Sequence, residues 1–212
     1  MHLSILIPTT PDREETLNAL LIELHNQIGI GRVVLCQHPM LDYLEKSYGA
    51  DVEVVVASDN KVISVGRKRQ LLLEEAKGEY VSGIDSDDSI HPDYIKDILE
   101  AIRNNPGVDH VGFEEDCTIN GEKSKSIFSI RHKKWDENKD GYDHIRCANP
   151  KSVIKREKAL QIGYQDLRYS EDRVFSEAVT AILETEVFIP KPLYFYQHIS
   201  TDHNERYGIK EN

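Results

Sequence analysis

Short apolar runs alternate with helix-period stretches along the first half of the chain. Leu3-Ser4-Ile5-Leu6-Ile7 is nearly all apolar, as expected of a strand buried on both faces of a parallel sheet. Thr10 is placed to cap a helix, with Pro11 at its first position and Asp12, Glu14 and Glu15 in its first turn. Leu17, Leu20, Leu21 and Leu24 then recur at helical spacing. Val33-Val34-Leu35-Cys36 predicts a second buried strand and Val52 to Ala57 a third. Between them, Asp42 to Tyr48 is polar and predicts a short helix or a loop. Ser64 to Gly78 opens on a basic turn, continues as a short helix and stops at glycine; Tyr80, Val81 and Ile84 then mark a short strand. Pro92 predicts the start of a helix with Ile95, Ile98, Leu99 and Ile102 on one face, ending near Asn105-Pro106-Gly107. Strand and helix in alternation predict an α/β fold with a mainly parallel sheet and right-handed crossovers.

The pattern changes after residue 107. Val108 to Glu114 predicts a strand, Asn120-Gly121 a two-residue hairpin turn, and Ser126 to Ile130 a strand beyond it. Arg131 to Arg146 is polar with little periodicity and reads as a long loop, of the kind that is more often functional than structural. Short helices are predicted around Glu157 to Ile162 and after Ser170, the second burying Phe175, Ala178, Val179 and Ile182. Val187-Phe188-Ile189 and Leu193-Tyr194-Phe195-Tyr196 read as two last strands separated by Pro190-Lys191-Pro192.

A length of 212 residues allows one well-buried core, with a single domain as the default. Charged residues at 30% and hydrophobic ones at 39% are ordinary for a soluble protein and too apolar for wholesale disorder. No apolar run approaches the roughly 18 residues of a membrane span. The opening run is short, lacks a basic lead and meets Pro8, so no signal peptide is expected. Cys36, Cys117 and Cys147 are scattered, form no metal spacing and suggest no disulfide framework, which fits a reducing, cytoplasmic setting. A net charge of −11 disfavours general nucleic-acid binding but leaves room for one nucleotide at a local basic patch.

The candidate chemistry lies in Gly78-Glu79-Tyr80-Val81-Ser82-Gly83-Ile84-Asp85-Ser86-Asp87-Asp88. Adjacent carboxylates repel and resist burial, and become tolerable when a divalent cation, a sugar hydroxyl or bulk water shares the charge. Mg2+ and Mn2+ prefer carboxylate oxygens, with substrate phosphates completing the shell. A solvated acidic turn is the alternative. Upstream, Arg67, Lys68 and Arg69 stand at a helix N-terminus, where the dipole disfavours cations and a nearby anion would offset the cost. Basic groups and carboxylates flanking one strand suit a metal-bound pyrophosphate.

Lys68-Arg69, Ala76-Lys77-Gly78-Glu79-Tyr80 and Asp85-Ser86-Asp87-Asp88 resemble, in order and spacing, the motifs of the family 2 glycosyltransferases of the GT-A fold. Gln70 stands where that family usually has Asn, and Gln37-His38-Pro39 where it often has an acid near the base. The resemblance runs from Leu3 to about His198. It implies one GT-A (Rossmann-like) domain over residues 1–212, with a mainly parallel central sheet flanked by helices and a small antiparallel acceptor-side portion. Residues 1–107 would form the nucleotide-sugar half, and 108–212 the half that carries the acceptor site and the catalytic base. The implied activity is inverting, metal-dependent transfer from a nucleotide sugar, UDP-hexose foremost, to a hydroxyl acceptor such as a glycan. Asp87 would bind Mn2+ or Mg2+, Asp85 the ribose or the metal, and Ser86 and Asp88 the donor. Pro8, Thr9 and Thr10, with Arg13, would border the base, although capping alone explains Pro8 and Thr10. Arg67, Lys68 and Arg69 would face the diphosphate, and the loop Ser58-Asp59-Asn60-Lys61 is also placed to face the nucleotide.

In Tyr169-Ser170-Glu171-Asp172-Arg173-Val174-Phe175 the family's pattern places the catalytic base at Asp172, with Glu171 beside it; helix capping is the alternative for this pair. His198, or His203, stands where some GT-A enzymes take a further metal ligand. Trp135 and Tyr142 are candidates either to stack on an acceptor sugar or to pack beneath their loop. A metal-dependent nucleotidyl- or phosphotransferase is the second enzymatic reading, against which the chain has neither a Gly-x-x-x-x-Gly-Lys-Ser/Thr loop nor the kinase motifs. A non-catalytic sugar-nucleotide- or glycan-binding module is the third.

Overall fold

Apolar side chains on both faces of the first strand set the layering of the computed structural model, which describes residues 2–198. The chain runs through β1 (Leu3–Thr9), a 3-10 turn (Pro11–Arg13), α1 (Glu14–Ile28), β2 (Arg32–His38), β3 (Leu41–Tyr48), β4 (Val52–Ser58) and α2 (Val65–Glu75). It continues with β5 (Tyr80–Gly83), β6 (Ser89–Ile90), α3 (Tyr94–Asn104), β7 (His110–Ile119), β8 (Glu122–Phe128), β9 (Asp136–Lys139) and β10 (Tyr142–Arg146). β11 (Val153–Lys155), α4 (Arg156–Ile162), α5 (Glu171–Thr180) and β12 (Glu186–His198) follow. Side chains alternate across a strand. Leu3, Ile5 and Ile7 therefore share one core with Leu17, Leu20 and Leu24 of α1 and Ile95, Ile98 and Ile102 of α3. Leu6 belongs to the other core, with Leu71 and Leu72 of α2, Ala159 of α4, and Phe175 and Val179 of α5. The result is helices on both faces of one sheet.

In that sheet β1 pairs in parallel with β4 on one side and β5 on the other. Strand order reverses about β1, so β1, β4 and β5 end on the same side of the sheet, with Thr9 opposite Ser58 and Gly83 opposite Leu6. This is a switch point of the kind where open α/β sheets bind ligands. Mostly antiparallel pairings extend the parallel centre, with β10 joining β8 in parallel. The β2–β3 hairpin joins β4, β11 links β5 to β7, and the β7–β8 hairpin leads to β10 and β9. The hairpin turn has Asn120 at φ 51° and Gly121 at φ 85°, both positive as a two-residue turn of this type requires. β12 runs parallel to β7 and antiparallel to β6.

The structure corrects several local expectations. Val33 to Cys36 is a strand but not a buried one: β2 ends the sheet's strand order, and Leu35 is 69% exposed. Asp42 to Tyr48 is strand β3, not helix or loop. Its polar composition hides a buried lysine, Lys46, whose Nζ lies 2.6 Å from Glu75 Oε2 and 3.0 Å from its backbone oxygen. The Arg131–Arg146 stretch contains β9 and β10. Tyr142 donates its hydroxyl to Glu114 Oε1 at 2.7 Å, and Trp135 is half-buried with the Arg146 guanidinium 4.5 Å from its ring centre. The last two predicted strands are one, β12, in which register shifts around Pro192 absorb the prolines. Neither Thr10 nor Ser170 makes a side-chain cap, and α3 begins at Tyr94, beyond Pro92. Among the described residues no helix is long and apolar enough to cross a membrane.

Candidate functional site

The N-terminus of α2 sets the direction of the basic side chains. Ser64 Oγ accepts from Arg67 N at 3.0 Å and donates to Asp166, and Gly66 N donates to Leu167 O at 3.0 Å. A Cβ at Gly66 would stand 2.0 Å from Gln165 O, so the helix can approach this segment only with glycine there. Arg67 points outward, with Met40 Sδ 3.9 Å away. Lys68 and Arg69 turn inward and are buried. Lys68 donates to Thr9 O at 2.6 Å and pairs with Asp59, which also accepts from Val62 N at 2.6 Å and Ile63 N at 3.0 Å. Burial lowers the Lys68 pKa, with Asp59 pulling against it. Arg69 spans two carboxylates: Nη2 is 2.8 Å from Asp85 Oδ1 and Nε is 3.1 Å from Glu171 Oε1. Arg69 thus ties the acidic turn after β5 to the start of α5.

The three acids of that turn diverge. A backbone bond from Asp88 N to Asp85 O at 3.0 Å closes the turn. Asp85 faces Arg69; burial alone would raise its carboxyl, but Arg69, with Lys151 and Arg13, holds it below the usual range. Asp87 Oδ1 accepts from Arg13 Nη1 at 2.8 Å. Asp88 points into the protein, its side chain 1% exposed, and accepts from the Tyr194 hydroxyl at 2.7 Å and Gln197 N at 3.2 Å. Burial pushes the Asp88 carboxyl up to about 7, with Lys151 opposing the shift. Ser86 is likewise buried, its Oγ without a hydrogen-bond partner among the described residues.

Across Arg69 lies the first turn of α5. Glu171 is buried, and burial raises its carboxyl while Arg69 lowers it. Asp172 is partly exposed, with Oδ1 accepting from Arg173 N at 2.8 Å. Beneath them Tyr164 stacks on Phe175 with ring centres 4.1 Å apart, and Tyr164 N donates to Gln70 Oε1 at 2.7 Å. Gln70 therefore serves this loop. Pro8 and Thr9 are buried at the end of β1, and Thr10 is partly exposed. His198 stacks on Tyr196, at centres 6.1 Å apart, on the face of β12 that Tyr194 also occupies. His203 lies outside the described residues.

The arrangement brings together Arg13, Lys68, Arg69, Asp85, Asp87 and Glu171, and leaves Arg67 apart. Sequence reasoning did not single out Lys151 and Tyr194, which meet Asp88, or Glu115, which pairs with Lys151. The one available signal was the spacing of Tyr194 and Tyr196, which puts two aromatic rings on one strand face.

Residues 37–162 match the family model described as Glycosyl transferase family 2. No curated protein matches the chain. Among solved structures, S. aureus TarS is similar at 17% identity and a TM-score of 0.62, over 93% of this chain and 37% of that one. TarS 1-349 in complex with UDP-GlcNAc is similar at 16% identity and a TM-score of 0.63, over 93% and 58%. The same fragment in complex with UDP gives 17% identity and a TM-score of 0.64, over 97% and 63%. At these identities the likeness is one of fold. The chain spans between 37% and 63% of the length of these structures.

Proposed function

The chain belongs to glycosyl transferase family 2, and we propose that it transfers a sugar from a nucleotide sugar, UDP-hexose foremost, to a hydroxyl acceptor such as a glycan, with inversion. The observation that carries this reading is the Arg69 bridge. It joins Asp85, at the strand ends where a nucleotide would bind, to the helix turn that presents Asp172.

The donor set suits a hard divalent cation. The Asp85 and Asp87 side chains are 23% and 28% exposed, and Mg2+ and Mn2+ typically take one or two carboxylates with phosphate oxygens completing the shell. Among the described residues no three His, Cys, Asp or Glu side chains group to hold a metal by themselves. Asp87 would be the principal ligand, Asp85 a second, and His198 a further candidate from β12. Such a cation, when bound, neutralises a departing diphosphate. Arg13 and Lys68 add positive charge around the turn, and Thr9 and Thr10 border the nucleotide. Asp172 takes the proton of the acceptor hydroxyl as that oxygen attacks the anomeric carbon, while Glu171 stays paired with Arg69 and fixes the helix start. The sugar–phosphate bond breaks on the opposite face, and the configuration inverts.

Incubation with a panel of UDP-sugars and Mn2+, with released UDP as the readout, tests the reading. Turnover that requires Mn2+ and is lost in Asp87→Asn is the expected result. UDP binding with no release from any donor would favour a binding module, and release of pyrophosphate or transfer of a phosphoryl group would favour the nucleotidyl- or phosphotransferase.

A further inference from the structure

Lys151 lies under the acidic turn. Its backbone is fastened where β5 ends: Gly83 N donates to Pro150 O at 2.7 Å, and Ser82 Oγ to Lys151 O at 2.7 Å. Lys151 N donates to Asn149 Oδ1 at 3.0 Å, which fixes the loop from its other side. The ammonium is 3.0 Å from Glu115 Oε1 and 3.4 Å from Asp88 Oδ2. It also lies 4.5 Å from the Tyr194 ring centre and 4.0 Å from that of Tyr196, a cation between aromatic rings. The Tyr194 hydroxyl donates to Asp88 Oδ2 at 2.7 Å and accepts from Asp85 N at 3.0 Å, so one oxygen spans both ends of the turn.

Two buried carboxylates, Asp88 and Glu115, thus share one lysine. Without that ammonium both would lose the partner that ties them together in a poorly solvated space. Neither Lys151 nor Tyr194 is placed to act as a metal ligand, but both fix the backbone from which Asp85 and Asp87 project.

We propose that Lys151 and Tyr194 are positioning residues of the donor site, which clamp the Asp85–Asp88 turn so that Asp85 and Asp87 are presented in register for a cation-bound nucleotide. The inference rests on the nucleotide-sugar reading above. Outer-shell partners of metal ligands typically contribute roughly 10- to 100-fold in affinity or activity.

The test is calorimetry of UDP binding with and without Mn2+, on the full chain, for wild type, Lys151→Met, Lys151→Arg and Tyr194→Phe, each held well below its own melting temperature. Lys151→Met and Tyr194→Phe are expected to weaken the Mn2+-dependent affinity roughly 10- to 100-fold, and Lys151→Arg to restore most of it. Metal-free affinity should change little, whereas general damage to the fold would lower both. If Lys151→Met does not fold, Tyr194→Phe, which removes a single oxygen, decides. Variants that match wild type, or that lose affinity equally with and without Mn2+, overturn the clamp. Wild-type protein that binds no UDP overturns the underlying reading and this inference with it.

Discussion

Glu171 and Asp172 are consecutive acids in different surroundings: one is buried against a guanidinium, the other is partly exposed at the helix start. A general base acts mainly in the transition state, so its loss lowers turnover far more than donor affinity. Asp172→Asn is expected to reduce UDP release roughly 10²- to 10⁴-fold with nearly unchanged UDP affinity by calorimetry. Glu171→Gln is expected to lower the melting temperature instead, because it weakens a buried pair; the reverse pattern would exchange the two roles. Read as a phosphate arm from the sequence, Arg69 would leave stability untouched when removed. Its burial between Asp85 and Glu171 reverses that expectation, and Arg69→Ala should cost about 3–5 kcal/mol in denaturant unfolding, as a broken buried pair does.

Among the elements, those whose burial follows their apolar residues were legible: β1, β4, α3 and the β7–β8 turn all stand where periodicity and Asn120-Gly121 put them. Elements that bury charge were not. β3 hides Lys46 against Glu75, and the polarity of that stretch argues for an exposed helix or loop until the partner is seen. The motif residues were legible as residue types at a spacing, whereas their partners were not. Arg69 meets Glu171 across a separation of 102 positions, and no local pattern reports a contact of that range. The approach of α2 to Gln165 supplies a test at this scale. Gly66→Ala should destabilise the protein by about 1–3 kcal/mol, as overpacking does, and weaken UDP binding by shifting Lys68 and Arg69 with their helix. Normal stability would mean that the 165–167 segment yields freely.

Across the whole molecule, β12 is held at its start by Glu186, which ties it to β7 and to the turn after β8. Its Oε2 is 2.9 Å from His110 Nδ1 and accepts from Ile130 N at 2.7 Å, while Oε1 accepts from Ser129 Oγ at 2.7 Å. Burial works against this carboxylate, but the bonds from His110, Ser129 and Ile130 outweigh it and hold its pKa below the usual 4.5. A carboxyl depressed in the folded state contributes stability above its unfolded pKa and loses it as the pH falls through the folded one. Thermal unfolding should therefore show a melting temperature that declines below about pH 4.5. Glu186→Gln should begin lower and decline less steeply over the same range; an identical slope would show that other acids set the acid limit.

The proposed clamp on the acidic turn would also set when the site becomes competent during synthesis. Tyr194 meets Asp88 from 106 positions later in the chain. At a translation rate of roughly 5–20 residues per second, the ribosome makes the turn about 5–20 s before it makes the tyrosine. Throughout that interval the nascent chain carries its carboxylates without the strand that orients them, although the parallel centre of the sheet has already been translated. On the proposed reading, ligand recognition waits for β12 to be made, and a ribosome that stalls before β12 leaves the sheet's parallel core translated but the acidic turn without its tyrosine.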